Sequence, residues 1–99
     1  MFKDIRTGIR GTLRDTVTGT VAVQHPLARR ALERNGTSVT RDVLDAGRGL
    51  LEGTFASGEE WRITTTRMSG DVVEFAIQVG AFGDQERQRT ILEWIRAER

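Results

Sequence analysis

The fold is decided by the stretch VEFAIQV at residues 73–79. Its large apolar side chains alternate there with a glutamate, an alanine and a glutamine, at Val73, Phe75, Ile77 and Val79. Alternation with a period of two is typical of a β-strand that turns one face to the core. We therefore expect these four side chains to lie at the centre of the core, on the central strand of a sheet.

Three further strands precede this stretch. Residues 61–68 and 50–56 alternate in the same way, and Ser-Gly steps separate them from each other and from residues 73–79. A shorter strand is predicted at residues 37–41, extended by Val43 and Leu44 before a glycine-rich turn. Strands this close in sequence are joined as hairpins, so the sheet should be antiparallel.

Two helices and a first strand complete the pattern. Val17, Val21 and Val23 share one parity, which predicts a strand over residues 16–24. A helix should follow over residues 26–35, with Pro26 at its first position. Proline suits that position because the N–H groups of the first turn have no partner within the helix, so its missing N–H costs nothing there. A second helix should begin at the N-cap Asp84 and continue to about residue 98.

The predicted fold class is therefore α+β. We expect an antiparallel sheet of four to five strands with two helices packed on one face, in the order β-α-β-β-β-β-α. Residues 15–99 should form this single domain, and residues 1–14 a separate basic amphipathic segment. A chain of 99 residues has no length for a second independent core.

The composition excludes several kinds of site. The chain has no cysteine, one histidine and a net charge of +1, so thiolate chemistry, iron–sulfur clusters and nearly all structural zinc sites lack their ligands. We expect no catalytic residues, no metal and no cofactor. No apolar signal sequence follows Met1, which predicts a cytoplasmic protein; a bacterial envelope location is the alternative if a leader was removed.

One pattern of residues runs through both predicted helices and the turn between residues 79 and 84. It consists of Pro26, Leu27, Ala31, Leu32, Gly36, Ser38, Val39, Thr40, Val79, Gly80, Phe82, Gly83, Asp84, Ile91 and Leu92. With these residues the chain resembles a domain of unknown function found in short bacterial proteins, many of them envelope lipoproteins. The resemblance spans roughly residues 18–97, with a Val-Gly-x-Phe-Gly-Asp motif as its most specific part, and implies no activity and no catalytic residue.

The first fourteen residues are a candidate docking element. Apolar residues fall on one helical stripe and basic residues on the adjacent one, a pattern that suits a partner's groove or an anionic membrane surface. Gly8 and Gly11 weaken a helix here, so an extended leader into the first strand, or a helix that forms only on docking, is an equal alternative. The candidate docking residues are Phe2, Ile5, Arg6, Ile9, Arg10 and Leu13.

An arginine cluster is the candidate anion site, formed by Arg29, Arg30, Arg34 and Arg41. No aromatic residue lies between Phe2 and Phe55 to stack on bases, which argues against nucleic acid as a partner. The single His25 has no nearby ligand in sequence and should end the first strand or cap the first helix.

The sequence thus favours a non-enzymatic protein-interaction or structural module of unspecified role. Its partner would be another protein or a second copy of the chain, with peripheral membrane contact through the N-terminal segment as a further possibility. The alternative function is anion or nucleic-acid binding through the arginine cluster.

Overall fold

Two helices pack against one face of a five-stranded antiparallel sheet in the computed structural model, which describes residues 11–99. This confirms the predicted α+β class and the element order β-α-β-β-β-β-α. The elements are β1 (Leu13–Thr18), α1 (Val21–Arg34), β2 (Ser38–Asp45), β3 (Arg48–Thr54), β4 (Glu60–Ser69), β5 (Val72–Val79) and α2 (Gln85–Glu98).

The sheet has the strand order β1-β5-β4-β3-β2. Strands β2 to β5 form a meander of hairpins, and β1 joins the far side by pairing antiparallel with β5. The middle strand is therefore β4, and the predicted central strand β5 lies one place from it. Both lie inside the sheet with a neighbour on each side.

The core forms between the helices and the inward face of the sheet. Val73, Phe75, Ile77 and Val79 are completely buried, as their alternation predicted. Leu51, Ile63 and Ile77 face one another across β3, β4 and β5. The helices contribute Leu32 and Ile91, among others, to the same apolar cluster.

The first predicted strand is wrong in its second half. Strand β1 ends at Thr18, and Gly19 follows with a φ of 149°, a conformation that suits glycine. The Thr20 hydroxyl then accepts a hydrogen bond from the Val23 N–H at 3.3 Å, which makes Thr20 the N-cap of α1. The helix therefore begins five residues earlier than predicted, and Pro26 lies inside it.

The turn between β5 and α2, together with the first residues of α2, contacts Gly11, the first residue that the structure describes. Asp84 caps α2 as predicted, since its Oδ1 accepts from the Arg87 N–H at 3.1 Å. The buried side chain of Gln88 accepts from the Val79 N–H at 2.9 Å and donates to the Gly11 carbonyl. Gly83, at a φ of 82°, abuts Gly11 so closely that a Cβ on either residue would strike the other's backbone. Gln88 and this glycine contact thus join α2, β5 and the chain leading into β1.

Candidate functional site

Strand β2 forms one edge of the sheet and, within residues 11–99, pairs only with β3. The two-residue turn Ala46-Gly47 makes Asp45 and Arg48 the closing pair of the β2–β3 hairpin. A closing pair of this kind exchanges both backbone hydrogen bonds, and the pattern then alternates along the strand. The N–H and C=O groups of residues 41, 43 and 45 therefore point to β3, and those of Asp42 and Leu44 point outward.

The C-terminal half of β2 also exposes apolar side chains. Val43 is 40% exposed and Leu44 is 46% exposed, on opposite faces of the sheet. A β-bulge between Val39 and Arg41 interrupts the start of the strand, whereas the pairing from Arg41 to Asp45 is regular. Because bulges protect sheet edges from pairing, the regular segment at residues 41–45 is the part of β2 open to another strand.

A polar cluster fastens this edge strand to α1. The His25 side chain is only 3% exposed, and its Nε2 lies 2.5 Å from Asp42 Oδ1. Arg29, one helical turn further along α1, places Nη1 2.6 Å from Asp42 Oδ2. Both oxygens of the Asp42 carboxylate are therefore held by α1.

The cluster changes the acidity of Asp42. Partial burial acts to raise the pKa of this carboxyl group, but the hydrogen bonds from His25 and Arg29 outweigh it and hold the pKa below its ordinary value. The same hydrogen bond to Asp42, with a second one to Glu33, raises the pKa of Arg29. The two hydrogen bonds therefore favour the ionised form of Asp42 over its protonated form.

His25 neither ends a strand nor caps a helix, which corrects the sequence interpretation. It lies in the second turn of α1 with its ring against Gly49 of β3, where any Cβ would press on the imidazole. The contact to Asp42 joins residues 17 positions apart, on two different elements. The sequence signal that was available is the helical spacing of His25 and Arg29, combined with an acidic residue at an inward position of β2.

The predicted arginine cluster is divided between two surfaces. Three of its members lie on α1, and the fourth, Arg41, lies on the sheet face away from the helices. Each has a carboxylate within 4 Å: Arg29 Nη1 to Asp42 at 2.6 Å, Arg30 Nε to Glu98 at 3.8 Å, Arg34 Nε to Glu98 at 3.2 Å and Arg41 Nη1 to Glu52 at 3.7 Å. The structure therefore does not gather the four arginines into one basic surface.

A shallow groove of about 420 Å³ lies on the sheet face away from the helices. Its lining is mostly polar and includes Thr40, Glu52, Arg62, Gln78 and Gly80. Arg62 and Glu52 neutralise each other inside it, with Nη2 and Oε2 2.9 Å apart. The groove therefore presents paired charges to a ligand.

Residues 11–99 contain no group of three or more His, Cys, Asp or Glu side chains placed to hold a metal ion. Neither α1 nor α2 is long and apolar enough to cross a membrane.

A family model described as "Protein of unknown function (DUF3568)" matches residues 6–98. The chain belongs to the DUF3568 family. This confirms the resemblance to a domain family of unknown function, while the link of that family to a Val-Gly-x-Phe-Gly-Asp motif and to envelope lipoproteins stays a prediction. A comparison of the DUF3568 chain with curated proteins finds no match.

The predicted docking element lies mostly outside the described residues of the DUF3568 domain. This applies to Phe2, Ile5, Arg6, Ile9 and Arg10. Leu13, the sixth candidate, begins β1 opposite Ile77 and packs against the core. The family match begins at residue 6 and β1 at residue 13, both inside the segment predicted as separate. The first described residue, Gly11, lies beside the backbone of Phe82, a residue that is 85% exposed.

Proposed function

We propose that this DUF3568 domain is a non-enzymatic protein-interaction module that binds an extended segment of its partner along the edge strand β2. The observation that carries the proposal is the outward row of backbone groups at Asp42 and Leu44, flanked by the exposed side chains of Val43 and Leu44. An added strand takes its affinity from such main-chain hydrogen bonds and its specificity from alternate side chains.

The surroundings of His25 support binding over catalysis. A general acid or base must come within hydrogen-bond reach of a substrate, directly or through one water. The imidazole of His25 is buried, and its Nε2 is already engaged by Asp42. The histidine is better suited to holding β2 in place than to transferring protons.

The same cluster favours binding at the edge for a second reason. Because His25 and Arg29 bind Asp42, the C-terminal half of β2 is attached to α1 before any partner binds. A strand already ordered in its bound conformation loses less conformational entropy on association. The arginines give polyanion binding less support, since each lies beside a carboxylate.

The proposal is tested by removing one outward N–H. Leu44→Pro deletes a backbone donor that β3 does not use, whereas the control Leu44→Ala shortens the same side chain and keeps the donor. Immobilised full-length chain is used to capture partners from an extract of the native host. We expect wild type and Leu44→Ala to retain the same protein and Leu44→Pro to lose it.

Circular dichroism and thermal melting establish that Leu44→Pro is folded before its binding is compared. Equal capture by folded Leu44→Pro and by wild type would contradict strand addition at β2.

A further inference from the structure

We infer that the strand added to β2 is β2 of a second copy of the chain, antiparallel and in a register centred on Val43. This inference rests on the proposed function and names its partner. The two sheets would then join into one continuous sheet about a two-fold axis through the paired strands, as closed homodimers do.

Backbone geometry limits the registers that such a pair can adopt. The outward residues Asp42 and Leu44 must face outward residues of the other copy in order to exchange hydrogen bonds. Within the regular segment, a two-fold pairing can therefore centre on Asp42, on Val43 or on Leu44.

Charge then selects among the three registers. A centre at Asp42 sets two identical carboxylates directly opposite each other, which is destabilising. A centre at Leu44 pairs Leu44 with itself but leaves Asp45 opposite Val43. A centre at Val43 places Arg41 of each copy opposite Asp45 of the other, so the strand complements its own charges.

The side-chain surroundings agree with the Val43 register. Its Arg41–Asp45 and Val43–Val43 contacts are pairs without mutual hydrogen bonds, in which Cα atoms approach to about 4.5 Å and side chains lie close together. The Arg41 side chain is 60% exposed and only loosely paired with Glu52, at 3.7 Å. Val43 is exposed in the single copy and would be covered by its counterpart.

Sedimentation equilibrium of the full chain over a wide concentration range tests the inference. Wild type should form reversible dimers, and Arg41→Asp or Asp45→Arg alone should weaken the dimer on the order of tenfold, because each sets like charges opposite each other. The double variant Arg41→Asp/Asp45→Arg should return the dissociation constant to within about threefold of wild type, because it exchanges both charges. Leu44→Pro should remain monomeric.

A wild-type chain that stays monomeric throughout, or single variants that weaken the dimer without rescue in the double variant, would overturn the inference. Thermal melting of each variant separates loss of pairing from loss of folding. A monomeric wild type whose captured partner is still lost in Leu44→Pro would reject the second copy and retain the proposed function. A dimer that persists in folded Leu44→Pro would place the interface elsewhere and reject the inference.

Discussion

At the level of single residues, His25 connects α1 to the edge of the sheet. Its Nε2 binds Asp42 of β2, and its ring occupies the space that Gly49 leaves open on β3. Gly53, four positions further along β3, makes room for the Trp61 ring in the same way. The inward glycines of β3 therefore serve the packing of large rings, which alternation alone does not reveal.

Asp42 makes the stability of the domain depend on pH. A carboxyl group whose pKa is lowered by folding contributes stability that is complete above its unfolded pKa, here 3.8, and is lost as the pH falls through the folded pKa. Asp42→Asn removes the charge and should lower the free energy of unfolding by about 1 kcal/mol at pH 5. Urea unfolding of the dilute protein at several pH values measures the difference, which should shrink towards pH 3.

Asp45→Asn is the matched control for this pH dependence. It removes an exposed carboxylate from the same strand, and its effect on the free energy of unfolding should be small at every pH. A stability difference between wild type and Asp42→Asn that stays constant down to pH 3 would show that the Asp42 charge does not stabilise the fold.

At the level of elements, the start of α1 shows where a sequence pattern misleads. Val17, Val21 and Val23 share one parity, and β-branched residues favour strands, so the pattern predicted a single strand. Gly19 breaks the strand, and Thr20 supplies the helix cap, so that Val21 enters the core and Val23 faces solvent. Local capping chemistry outweighed side-chain propensity here, whereas residues 73–79 had no competing signal.

Gln88 attaches α2 to the rest of the domain. Gln88→Leu keeps a similar volume but leaves the Val79 N–H without its buried acceptor, which should cost about 1–3 kcal/mol of stability. The control Gln85→Leu makes the same change at an exposed position of α2 and should stay within about 0.5 kcal/mol of wild type. Denaturant titration compares them, and equal stability of the two variants would contradict the anchoring role of Gln88.

At the level of the whole molecule, ion pairs within residues 11–99 connect the two halves of the sequence, which carry net charges of opposite sign. Residues 1–50 hold nine basic and five acidic side chains, and residues 51–99 hold six and nine. Ion pairs join the two halves at Arg14–Glu74, Arg34–Glu98, Arg41–Glu52 and Arg96–Asp15. A basic cluster in sequence therefore did not predict a basic surface, because the compensating carboxylates come from distant positions.

The sequence predicted the order of the strands and helices better than it predicted the candidate site. Hairpin spacing predicted the meander from β2 to β5, since neighbouring strands are close in the chain. The pairing of β1 with β5 and the contact between His25 and Asp42 depend on how the elements pack. The edge at β2 became a candidate site only once the register assigned Asp42 and Leu44 their outward backbone groups.

Amide hydrogen exchange resolved by residue tests the central claim, that β2 is a docking edge, most directly. The amides of Asp42 and Leu44 point outward, and those of Arg41 and Val43 are already bonded to β3, so a strand added at this edge protects alternate positions. On association with a second copy or a captured partner, exchange at Asp42 and Leu44 should slow by at least about tenfold, with little change at Arg41 and Val43. Association that leaves exchange at Asp42 and Leu44 unchanged would contradict the claim.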